Sequence, residues 1–115
     1  MKNIESRISE LLTIKTHQDI SAILDLISDF VKQKGSTVST HQVRRIYNEV
    51  KKAKSRIALH LLRPKIVYTM ARKEDYFLSF LEKVIREVKT DAQVADYVTF
   101  MESVVAYHKF HHNSK

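Results

Sequence analysis

Residues 90–112, TDAQVADYVTFMESVVAYHKFHH, decide the fold class. Val94, Tyr97, Val98, Met101, Val104, Val105 and His108 recur every three or four positions, the spacing of one face of an α-helix. Thr90 and Gln93 just before them form a capping box, in which each side chain satisfies the other residue's backbone N–H. Upstream, Phe77, Leu81, Val84, Ile85 and Val88 mark another helix over about 75–89, with Glu74 and Asp75 as its starting residues. Pro64 lacks a donor and disfavours helical geometry in Arg63, so it must break or restart the chain before a short helix at 65–72. Ser39-Thr40-His41-Gln42 is a second capping box. The helix it opens runs towards Arg63, with Val43, Ile46, Tyr47, Val50, Ala53 and Ile57 on one side. Before it, Gly35–Val38 reads as a loop closing a helix that carries Ile20, Ile23, Leu24, Ile27 and Val31, itself capped within Thr16–Asp19. Ile4, Ile8, Leu11 and Leu12 form a further stripe. No strict alternation, internal repeat or low-complexity tract interrupts the pattern. The expectation is an all-α bundle of five or six helices, with residues 1–115 forming one domain.

Composition narrows the function. The absence of cysteine excludes a disulfide scaffold, a thiol nucleophile and cysteine-based zinc or iron–sulfur sites. With one Gly and one Pro there is no glycine-rich phosphate loop. The opening MKNIESRISELLTIK has charges every few residues and so no signal-peptide core, and the apolar runs are far too short for a membrane span. A soluble, cytoplasmic protein with no membrane partner is expected.

The net charge of +7 is strongly segregated. Residues 1–40 hold five basic and five acidic side chains, and residues 74–115 hold five and seven. Residues 41–73 carry Arg44, Arg45, Lys51, Lys52, Lys54, Arg56, Arg63, Lys65, Arg72 and Lys73 against Glu49 alone, a net +9. Self-repulsion of that density needs a compensating benefit, and the common one is a polyanion. On a wheel of about 100° per residue, Arg44, Arg45, Lys51, Lys52 and Arg56 fall within an arc of about 140° opposite the apolar side. A cationic stripe along a helix suits a phosphate backbone better than a point ligand. A merely solvated face, with lysine stems covering apolar surface, is the bland alternative. No tight glycine turn precedes the basic helix as a DNA-reading helix-turn-helix would have it, and the signatures of common RNA modules are missing. The charge therefore points to backbone contact without a base code.

Other constellations are weaker. His108, His111 and His112 are the one cluster resembling metal ligands, but no carboxylate or Cys lies nearby in sequence, so terminal decoration or an interface patch is the plainer reading. His60, between Leu59 and Leu61, is a half-buried structural histidine, and Asp25 and Asp29 an exposed pair. Tyr68, Tyr76, Tyr97 and Tyr107 fit core or interface positions, and Tyr68, Val98 and Val105 are assigned to packing. Leu78, Phe80, Phe100, Ala106, Tyr107 and Phe110 widen the apolar arcs beyond one side, which suggests self-association, a homodimer in isolation, or else a broad single core. No nucleophile elbow or oxyanion cradle is present, so no catalytic residue, metal or cofactor is assigned.

Three blocks together carry a resemblance. Val38-Ser39-Thr40-His41-Gln42-Val43-Arg44, Leu62-Arg63-Pro64-Lys65-Ile66-Val67-Tyr68 followed by Arg72, and Phe100-Met101-Glu102-Ser103-Val104-Val105-Ala106-Tyr107-His108-Lys109-Phe110 follow one another in order and spacing over about 37–112. They resemble the small helical subunit of type III-A CRISPR effector complexes, the Csm family. Met101 and Ser103 depart from it, where the family has an aromatic or hydrophobic residue and Ala. The resemblance implies a non-catalytic subunit of an antiviral complex. It would stack in several copies along the groove where guide RNA pairs with target RNA, touching the large polymerase-like subunit and the repeated backbone subunits. The RNA-binding candidates are then Arg44, Arg45, Lys51, Lys52, Lys54, Arg56, Arg63, Lys65 and Arg72. The competing readings are a stand-alone basic DNA-binding protein and a metal-dependent hydrolase using the C-terminal histidines.

Overall fold

The computed structural model describes residues 3–70 and 74–112. Among these residues seven helices follow in chain order: α1 (Ile8–Leu11), α2 (Ile20–Lys34), α3 (Thr40–Lys52), α4 (Arg56–His60), α5 (Arg63–Met70), α6 (Tyr76–Arg86) and α7 (Asp91–His112). Short 3-10 turns at Ile4–Arg7, Ile14–Thr16 and Gly35–Thr37 complete the path, and the described residues contain no strand. The molecule is an all-α bundle, as its periodicity indicates.

The helices start where capping side chains stand. Asp19 Oδ1 accepts from the N–H of Ala22 at 3.2 Å, and Asp75 Oδ1 from that of Leu78 at 2.9 Å. Both capping boxes form: Ser39 with Gln42 at the head of α3, and Thr90 with Gln93 at 3.2 and 3.3 Å before α7. Pro64 sits in the first turn of α5, where its missing N–H would have had no intrahelical partner.

The largest departure from the expected boundaries is in the basic helix. The helix beginning at Thr40 stops at Lys52, Ala53 is extended (φ −76°, ψ 117°), and α4 begins afresh after Ser55. Two local causes favour the break. Lys51, Lys52, Lys54 and Arg56 would crowd neighbouring turns of a continuous helix with like charges. Ser55 offers a new cap, its Oγ accepting from the N–H of Ala58 at 3.1 Å. The N–H of Arg56 is met by Asp91 Oδ1 at 2.8 Å, so the head of α7 also braces the head of α4. As a result Ile57 does not extend the apolar side of α3; it is 62% exposed.

Twenty-two residues at about 1.5 Å each make α7 about 33 Å long, close to the longest dimension of the molecule, 34 Å. It packs along α2 and α3, while α5 lies on α6. Ile23, Ile27 and Val31 of α2 are fully buried with Val94, Tyr97, Phe100, Met101 and Val104 of α7 among the core residues. Phe30 stacks on Phe77 at 5.2 Å and tilts against Phe80 at 4.8 Å. The Tyr97 hydroxyl, inside this core, donates to the carbonyl of Leu81 at 2.9 Å. Val98 and Val105 pack at its edge, as expected. Leu78, Phe80 and Phe100, which the sequence left open between an interface and a broad core, are interior. Phe110 is 80% exposed and Tyr107 half-buried. Tyr68 overturns its assignment to packing, because it is 85% exposed.

Candidate nucleic-acid interface

The orientation of the basic helix α3 is set at its first turn. Ser39 Oγ accepts from the N–H of Gln42 at 3.1 Å, and Gln42 Oε1 accepts from that of Ser39 at 2.9 Å. Thr40, the first helical residue, is buried and hydrogen-bonds His108 Nδ1 at 2.7 Å. His108 Nε2 lies 2.8 Å from the carbonyl oxygen of Gly35, which can only accept. Nε2 therefore carries the proton, and Nδ1 accepts from the Thr40 hydroxyl. Burial holds this imidazole below its ordinary pKa range, and its neutral form suits both bonds. Two further histidines of α7 reach α2, His112 Nε2 to the carbonyl of Val31 at 2.9 Å and His111 Nε2 to Ser28 Oγ at 2.9 Å.

The C-terminal histidines are thus internal braces, which corrects their reading as terminal decoration or an interface patch. Their partners lie 68 to 83 residues away in sequence, so spacing alone could not reveal them. Among the described residues no group of three or more His, Cys, Asp or Glu is placed to hold a metal. His60 is half-buried with Nε2 on the carbonyl of Val88 at 2.8 Å, as a structural histidine should be.

With Val43 and Val50 buried, α3 turns Arg44, Arg45, Lys51 and Lys52 to solvent. The Lys51 ammonium lies over the Tyr47 ring, 4.8 Å from its centroid. Lys54 and Arg56 are exposed too, but the break at Ala53 takes Arg56 out of the continuous stripe that a single wheel implies. Lys65 is exposed on α5. Arg72 lies outside the described residues.

Arg63 is different. Its Nε donates to Glu82 Oε2 at 2.8 Å, and Arg86 closes on the same carboxylate at 2.6 to 3.0 Å. Glu82 is buried between these two guanidiniums. The bonds from Arg86, then from Arg63, hold its carboxyl below the usual range against the opposing pull of burial. Arg63 thus locks α5 onto α6.

Arg45, Lys52 and Lys65 come together on one groove between α3 and α5, lined also by Gln42, Ile46, Glu49 and Tyr68. Glu49 accepts from Lys65 at 3.3 Å and from Lys52 at 3.4 Å, which lowers its carboxyl pKa, Lys65 first. Such exposed pairs are screened by solvent and contribute little to stability. Arg44 and Lys51 are not among the lining residues of this groove.

No helix among the described residues is long and apolar enough to cross a membrane. Neither a curated protein nor a solved structure matches the chain. The family model described as Csm2 Type III-A matches residues 15–114, reaching upstream of the three sequence blocks to include α2. With its helical bundle and that match, the chain belongs to the Csm2 family and is a small, structural subunit of the type III-A CRISPR effector complex, built to associate with the other subunits.

Proposed function

We propose that this subunit is non-catalytic and holds guide and target RNA by their backbones, without reading sequence, through the cations of α3 to α5. The observation that carries this is the row of exposed Arg44, Arg45, Lys51, Lys52, Lys54, Arg56 and Lys65, with Glu49 the one acid between residues 41 and 73. Family membership supports RNA as the polyanion, since the chain works within an RNA-guided complex. Each copy makes few contacts, so isolated binding is weak and affinity accumulates by stacking copies along one groove.

Binding of single-stranded RNA by the isolated chain tests this. Five phosphate contacts give a slope of log affinity on log salt near −3.5, hence a roughly hundredfold loss between about 50 and 200 mM. A slope near zero, strong preference for one RNA sequence, or tighter binding to duplex DNA than to RNA contradicts the proposal.

A further inference from the structure

The groove contains an aromatic side chain that the core does not use. Tyr68, 85% exposed on α5, lines that groove together with Arg45, Lys52 and Lys65. It also borders a shallower hollow lined by His60 and Arg63, so the ring stands between two depressions. A single exposed ring is ordinary on a protein surface; what sets Tyr68 apart is the three cations that share its groove. Cations that follow a backbone beside a free aromatic face are the arrangement by which single strands are held, the ring taking an unstacked base. A duplex offers no free base face at its side.

We infer that Tyr68 is a stacking platform for an unpaired RNA base whose flanking phosphates meet Arg45, Lys52 and Lys65. This rests on the RNA-binding reading above and extends it, because there the contact is to the backbone alone. Every base has a π-face, so stacking preserves indifference to sequence. The Glu49 carboxylate, already held by Lys52 and Lys65, is displaced from them by the incoming phosphates.

The test measures anisotropy of a labelled single-stranded oligouridylate with the full chain and its variants. The exposure of Tyr68 lets the substitutions fold. Tyr68→Phe keeps the affinity, whereas Tyr68→Ala loses about tenfold at an unchanged salt slope, because no ion pair is removed. An abasic strand of the same length binds the unaltered chain as weakly as the oligouridylate binds Tyr68→Ala. If Tyr68→Ala binds like the unaltered chain while Lys52→Ala/Lys65→Ala is weakened, the stacking role is wrong and the backbone reading survives. If neither variant is weakened, the backbone reading itself fails. If Tyr68→Ala binds RNA normally but no longer enters the effector complex, the ring belongs to a protein contact and the inference is overturned.

Discussion

The long helix α7 and the stretch from α3 to α5 solve opposite problems with similar residue types. Along α7 the polar groups that enter the interior, Tyr97 and His108, each find a hydrogen-bond partner on another element. From α3 to α5 the helices are short or interrupted, the cations other than Arg63 face outward, and Ile57, Leu61, Val67 and Tyr68 remain exposed. One region stores stability and the other leaves apolar and cationic surface uncovered. A substitution in α7 should therefore act through folding, and one of an exposed cation of the α3–α5 stretch through binding, with Arg63, tied to Glu82, the exception.

The largest effect expected is at the centre of α7. Val104 is fully buried, and Val104→Asp places an unpaired charge there at a cost of about 4 kcal/mol or more. Circular dichroism should show that cooperative unfolding is lost near room temperature. Retention of a normal melt would remove α7 from its place as the stabilising element.

Next comes acid. The folded state holds the His108 imidazole below its ordinary pKa, with burial the main cause and His112 a minor one. Below about pH 6.5 the unfolded chain takes up a proton that the fold resists. The stability from His108 is therefore present above that pH and lost as pH falls, by at most about 1.4 kcal/mol per unit. Melting should drop between pH 7.5 and 5, and His108→Gln should flatten the profile. Glu10, lowered to about 2 by its bonds to Arg7 and His17, and Glu82 act in a separate window, below about pH 4.5. An unchanged slope in His108→Gln would show that the neutral histidine is not what the acid attacks.

Smaller effects divide the cations themselves. Arg63→Ala strips one partner from buried Glu82 while Arg86 stays, so a loss of about 1 kcal/mol in melting is expected, with RNA affinity nearly unchanged. Arg44→Ala/Lys52→Ala should do the reverse. Its melt stays within about 0.5 kcal/mol, and its salt slope for single-stranded RNA falls by about 1.4. If that pair melts several degrees lower yet binds RNA normally, the division between the two regions is misplaced.

Much of this contrast is legible in the chain. Caps at Asp19, Ser39, Asp75 and Thr90 have local partners within three residues, and local hydrogen bonding is what sequence spacing can report. The break at Ala53 carries a local signal too, Ser55 three residues before Ala58, but the uninterrupted apolar spacing from Val43 to Ile57 masks it. What stays hidden is tertiary. Arg63 is one more cation until Glu82, nineteen positions on, folds against it, and His108 is a terminal histidine until Thr40 meets it. Phe80 and Phe100 read as surplus because a wheel allows a helix one neighbour, whereas the two rings meet each other in the core, 6.5 Å apart. Tyr68 errs the other way, since a residue at helical spacing looks the same whether or not a neighbour covers it.

Gly35, at the joint between α2 and α3, has φ −85°, within reach of any residue, so its smallness rather than its freedom is being used. A Cβ there would stand 3.1 Å from Cδ2 of His108, a ring pinned by its bonds to Gly35 and Thr40. The chain's single glycine is therefore a close-packed seat and not a hinge. The basic helix leaves a rigid elbow, its direction dictated by the far end of α7. A subunit built this way meets the other subunits of its complex already shaped, and loses little conformational entropy on joining them.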